Sequence, residues 1–116
     1  MVLMAKALVS EPELLILDEP ESGLDFRNQL IVLNTLDKLK KKEISCIFNT
    51  HYPKHALQKA DSSLILGGEE PIFGETQKVV NEKNIENVFG VKAVINEMQV
   101  DGEVIKNIVP LYVTQK

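Results

Sequence analysis

The 116-residue sequence has one cysteine, Cys46, which lies inside an apolar run. A single thiol supports neither a disulfide framework nor a cysteine metal site, so packing must hold the fold. Long apolar runs are missing too. No stretch reaches the roughly 18 consecutive apolar residues of a membrane helix. The opening Met1-Val2-Leu3-Met4-Ala5-Lys6 is too short an apolar run for a signal peptide. Positive charge is not in excess: the formal charge of -4 gives no electrostatic reason to expect a nucleic-acid partner. There is no internal repeat, no low-complexity segment and no Gly/Ser/Pro-rich linker. What remains, 44% hydrophobic and 26% charged residues, is the composition of an ordinary globular, cytosolic protein. The length suits one small domain with a real core.

Apolar periodicity orders the chain. Residues 2 to 9 read as a short helix that stops before Pro12, which disfavours helix in the residue preceding it. Leu14-Leu15-Ile16-Leu17 is apolar on both faces, as suits a strand covered on both sides in a parallel sheet. Residues 26 to 42 read as a helix, with Phe26, Leu30, Leu33, Leu36 and Leu39 on one side. Lys38, Lys40, Lys41 and Lys42 crowd its last turn, where positive charge complements the helix dipole. Ile44 to Asn49 reads as a second buried strand, residues 53 to 60 as a short helix, and Ser63 to Leu66 as a third strand closed by Gly67-Gly68. This alternation predicts an α/β parallel sheet. Beyond it, Thr76 to Val80 and Asn84 to Phe89 read as helices. Val91 to Glu97 and Val104 to Val109 read as a hairpin around Asp101-Gly102. The expected division is residues 1–75 as the core and residues 76–116 as a smaller α+β appendage.

One stretch carries chemistry. Leu14 to Leu17 is followed by Asp18-Glu19-Pro20, then by Ser22-Gly23-Leu24-Asp25. An apolar strand ending in two carboxylates puts both at the C-terminal edge of the sheet, where α/β proteins bind ligands. Neighbouring strand residues point in opposite directions, so Asp18 and Glu19 can have different tasks, one facing a magnesium ion and the other a water. Phosphoryl transfer is mostly positioning and charge compensation, and this pair fits it.

These residues resemble the ABC ATPases. Leu14 to Pro20 resembles a Walker B motif with its adjoining glutamate, Ser22-Gly23-Leu24-Asp25 a D-loop, and Thr50-His51 the switch-histidine loop. The resemblance implies that Asp18 holds magnesium through water, Glu19 polarises the attacking water, and His51 contacts the γ-phosphate of ATP. It also implies that Ser22, Gly23 and Asp25 lie at a dimer interface, Asp25 reaching the partner's nucleotide site. The family more often has a small polar residue where this chain has Glu21, which makes the D-loop entrance more acidic. From residue 61 onward, Ala60-Asp61, Gly74-Glu75, Val88-Phe89-Gly90-Val91 and Val109-Pro110-Leu111 resemble ATPases of iron-siderophore and cobalamin importers. The implied partners are a transmembrane permease and a second ATPase subunit, with the protein peripheral on the inner face of the cell membrane.

The phosphate loop Gly-x-x-x-x-Gly-Lys-[Ser/Thr] and the signature Leu-Ser-Gly-Gly-Gln do not occur. The loop supplies the backbone cradle and lysine for the β- and γ-phosphates. The expected fold is therefore a partial P-loop NTPase sheet without its Walker A strand, and Met1 reads as an internal methionine or an artificial boundary. Unpaired apolar strand edges are sticky, so rearrangement, strand exchange or self-association is expected. Two other functions fit the residues: a remnant that acts by association alone, and an ATPase of the DNA-repair or chromosome-structure class. Plainer roles stand beside the catalytic ones. Asp25 also suits the N-cap of the helix starting at Phe26, Cys46 a small core residue, His55 an exposed one, and the lysines a solvated helix end. Without the phosphate loop, the 116-residue chain is expected to show no micromolar binding of magnesium-ATP by calorimetry.

Overall fold

The computed structural model describes residues 13–114, which form two compact units, one running through His51 and the other starting at Tyr52. The helix expected over residues 2–9 lies outside the described residues.

In the first unit, β1 (Leu14–Asp18) and β2 (Ser45–Asn49) flank α1 (Phe26–Lys41). The strands pair in parallel, from Leu14 opposite Ser45 to Asp18 opposite Asn49, as the strand–helix–strand pattern predicts. Asp25 starts α1 by accepting a hydrogen bond from the Asn28 amide at 2.9 Å, so its capping role is real. The helix ends in its exposed lysines. Glu43 then takes the left-handed conformation at φ 61°. Its amide donates to the Lys40 carbonyl and the Ile44 amide to the Leu39 carbonyl, both at 3.0 Å. These are the two bonds of a Schellman stop, made here without the usual glycine. They turn the chain straight into β2.

Leu15 and Leu17 of β1 pack against Val32, Leu33, Leu36 and Leu39 of α1, with Leu24, Ile44, Cys46 and Phe48 at the margin. The buried stripe is displaced from the expected one. Phe26 is 93% and Leu30 57% exposed, whereas Val32 is buried. Helical periodicity locates a stripe, but the sheet covers only the turns that lie over it. On the other face of β1, Leu14 and Ile16 are exposed among the described residues. Burial pushes the Cys46 thiol up from its ordinary range, which makes it a poor nucleophile.

The second unit contains α2 (Pro53–Lys59), β3 (Ser62–Ile65), β4 (Ile72–Glu75), α3 (Thr76–Val79), α4 (Glu82–Phe89), β5 (Val91–Val100) and β6 (Glu103–Val113). β3 pairs antiparallel with β4 in a separate two-stranded sheet, from Ser62 opposite Glu75 to Ile65 opposite Ile72. The sequence pattern predicts a third parallel strand there and gives no sign of β4. The hairpin β5–β6 is longer than its sequence signal and turns through Asp101 (φ 52°) and Gly102 (φ 80°). Two successive positive φ values match the right-handed twist of the strands.

Leu57, Val80, Ile85 and Ala93 form this unit's core, with Ile65, Val79, Ile95 and Ile108 packed on it. His55, expected to be exposed, is buried, and its ring lies 5.0 Å from that of Tyr52. The compact units divide at residue 51/52, whereas the motifs suggest residue 75/76. Leu57 and Ile65 explain the difference: α2 and β3 share a core with the C-terminal helices and hairpin.

Leu39, 0% exposed, is expected to cost about 2–5 kcal/mol when changed to Ala. Phe26→Ala is expected to stay within about 0.5 kcal/mol. Urea unfolding of the first unit distinguishes the two.

Candidate functional site

The site grows out of the pairing of β1 with β2. Because Asp18 lies opposite Asn49, the chain leaving β1 through Glu19 and Pro20 runs beside the chain leaving β2 through Thr50 and His51. Asp18 closes β1 on its open face, as an exposed carboxylate. At Glu19 the backbone enters the left-handed region, with φ 43°. A residue with a Cβ rarely does so unless its surroundings impose it. Here the Glu19 amide donates to Asn49 Oδ1 at 2.6 Å, and the Glu19 carbonyl accepts from the Ser22 amide at 3.1 Å. The turn aims the Glu19 carboxylate toward β2, where Oε1 lies against His51 Nε2. Two residues separated by α1 in sequence thus meet at the tips of adjacent strands.

Glu21 is wholly buried. Its carboxylate accepts from Thr50 Oγ1 at 2.7 Å, and its backbone carbonyl accepts from Gln29 Nε2 of α1 at 3.4 Å. The sequence suggests only a more acidic D-loop entrance; instead Glu21 is an internal anchor. After it, Ser22 and Gly23 are exposed, and the chain is fastened again at Asp25, the helix cap. Gly23 has φ 73°, and a Cβ there would meet nothing within 4 Å, so its backbone angle, and not crowding, calls for glycine.

The structure therefore gathers Asp18, Glu19 and His51 at one edge and displays Ser22, Gly23 and Asp25 beside them on a single short loop. Among the described residues, no group of three or more His, Cys, Asp and Glu side chains could hold a metal ion. A lone exposed carboxylate such as Asp18 fits magnesium, which commonly takes one or two carboxylates and fills its remaining positions with phosphate oxygens and water. Sequence reasoning put Thr50 in the switch loop and Glu21 at the D-loop entrance without a positioning role for either, and gave Asn49 no part in the site. Asn49 and Thr50 had a readable signal, since they are polar residues ending an apolar strand just before His51. The burial of Glu21 had none.

This geometry can be set beside known proteins. The molybdate import ATP-binding protein MolC of Haemophilus influenzae is 34% identical over 115 residues, which is 98% of this chain and 46% of MolC. An ABC transporter ATP-binding protein of Methanocaldococcus jannaschii is 38% identical over 100 residues, 84% of this chain and 39% of that protein. The homologues of this chain are ABC-transporter ATP-binding proteins. One from Helicobacter pylori, named for iron chelatin transport, is 38% identical over 80 residues, covering 62% of this chain and 31% of its own length. The mixed α/β fold matches an ABC transporter assigned to the metal-chelate type, solved in an inward-facing conformation. That match has a TM-score of 0.85 at 34% identity, over 96% of this chain and 45% of the other. No family model matches the sequence. The chain spans less than half the length of these ABC relatives.

Within the site, Asp25→Ala removes the cap of α1 and is expected to lower stability by about 1 kcal/mol, while Asp25→Asn keeps most of it. Chemical denaturation of the three proteins checks this.

Proposed function

We propose that this chain supplies the water-activating half of the nucleotide site in an ABC-transporter ATPase that drives import of a metal chelate. The carrying observation is the approach of the Glu19 carboxylate to the His51 imidazole across two paired strands. Phosphoryl transfer to water needs a group that orients the water and a group that steadies the departing phosphoryl oxygens. Glu19 takes the first role: its carboxylate accepts a proton of the attacking water and aims an oxygen lone pair at the γ-phosphorus. His51, with its side chain 80% exposed, takes the second and donates to a γ-phosphate oxygen. Asp18 would hold a magnesium ion through water, which when bound would supply charge compensation for the β- and γ-phosphates. Ser22, Gly23 and Asp25 extend toward the nucleotide site of a second ATPase subunit, and the pair of subunits acts on a transmembrane permease.

The phosphate loop and the signature are absent from this sequence, so the 116 residues alone are inactive in this reading. Self-association of the chain belongs to the same proposal, because its strands carry apolar faces such as that of Leu14, Ile16 and Ile47. Among the described residues no helix is long and apolar enough to cross a membrane, which suits a peripheral subunit at the inner face of the cell membrane. For the cargo we favour an iron-siderophore or cobalamin. The names of relatives support a metal-containing cargo, since they include iron chelatin and molybdate transport, and the similar structure is of the metal-chelate type. Those transport names also weigh against an ATPase of DNA repair or chromosome structure.

The test uses the chain joined to the phosphate loop and signature of an ABC-transporter relative. Glu19→Gln is expected to lower magnesium-ATP turnover on the order of 10²–10⁴-fold while nucleotide affinity stays nearly constant. Unchanged turnover in Glu19→Gln overturns the assignment. No turnover in the unsubstituted protein favours a remnant that acts by association alone.

A further inference from the structure

We propose that Glu21 and Thr50 form a positioning pair that locks the loop after β1 to the loop after β2 and thereby sets His51 against Glu19. The inference deepens the proposed function and rests on it for its catalytic consequence, though not for its geometry.

The His51 side chain is 80% exposed, so packing does not fix the ring. The ring's position follows from its backbone, and that backbone leaves β2 through Thr50. Thr50 Oγ1 donates at 2.7 Å to Glu21 Oε2, on the neighbouring loop. Glu21 is itself immobilised: it is 0% exposed, and its carbonyl is tied to Gln29 of α1. A carboxyl group fully out of water costs stability unless it is hydrogen-bonded, so a buried glutamate in a short loop needs partners such as Thr50.

A second tie runs between the same loops in the opposite sense, from the Glu19 amide to Asn49 Oδ1 at 2.6 Å. Glu19 thus receives its left-handed backbone from Asn49, and His51 receives its placement from Glu21. Each loop positions the reactive side chain of the other. Glu21 also opens the span that Asp25 closes, in which Ser22 and Gly23 are exposed while Leu24 packs against the core. A small residue at position 21 could not reach across. This chain's glutamate makes the link a feature of its own sequence.

The test has two arms. In the 116-residue chain, a nuclear Overhauser signal between His51 Hε1 and the Glu19 γ-protons is expected. It should persist in Thr50→Ser and Glu21→Gln, which keep a hydroxyl and an acceptor. It should vanish in Thr50→Val and Glu21→Met, which keep the shape and remove one end of the bond. Either of these two suffices if the other does not fold. A signal that survives in a folded Thr50→Val or Glu21→Met protein overturns the proposal. In the chain joined to the phosphate loop and signature of a relative, Thr50→Val is expected to lower kcat about tenfold to a hundredfold with KM nearly unchanged, and Thr50→Ser to restore it. An unchanged kcat in a variant that no longer gives the Overhauser signal overturns the catalytic consequence. If the unsubstituted protein shows no turnover, the functional reading fails, while the Overhauser measurement still decides the positioning pair.

Discussion

The in-register parallel pairing of β1 with β2 is the constraint on which the site depends. Side chains in a strand alternate between faces, so a slip of one residue would turn Leu15 and Leu17 away from α1 and expose both. Burying those leucines against Val32, Leu33, Leu36 and Leu39 therefore selects one register. That register places Asp18 opposite Asn49, and the residues that follow each strand emerge side by side. Hydrophobic burial several residues away decides that Glu19 and His51 can meet. The chemistry inherits its geometry from the core.

The loop between β1 and α1 is short, and it is fastened at several points. Glu19 is held by Asn49, Glu21 by Thr50 and Gln29, and Asp25 by the first turn of α1. Between the last two anchors, Ser22 and Gly23 stay exposed. An exposed span between fixed ends can present backbone and side-chain groups outward without losing its own position. Glu19 carries backbone strain of a kind that persists only where the surroundings over-determine it. The density of hydrogen bonds around this loop meets that condition.

Some of this could be read from the residues alone, for reasons particular to each element. Leu14 to Leu17 and Ser45 to Asn49 are short apolar runs with polar stops, and α1 has a capping aspartate and a lysine-rich end. Asp101-Gly102 announced the hairpin through its need for positive φ. Other features had no local signal. β4 follows Gly67-Gly68-Glu69-Glu70-Pro71 and contains Gly74, a composition that reads as loop, and it is a strand only because β3 offers it an edge. Glu43 ends α1 in a conformation where glycine would be expected. The burial of Glu21 and His55 depends on tertiary neighbours, which no periodicity reports. The candidate site divides in a similar way: its chemical residues are marked by motif, Asn49 and Thr50 by their place at the end of an apolar strand, and Glu21 only by its neighbours in space.

That division has a physical basis. A residue that meets substrate must be of one chemical type, because proton transfer and metal binding depend on the group itself. A residue that aims another must only supply a bond of the right reach, and several residue types can do so from different positions. Glu21 illustrates the second kind: it spans to Thr50 from a position where a short side chain would fall short. Reading such a residue requires both partners in space, and here they belong to two loops separated by the whole of α1. The pair also explains why a loop with an exposed tip can remain coupled to a histidine with an exposed ring. Neither needs packing of its own when a partly buried bond joins their bases.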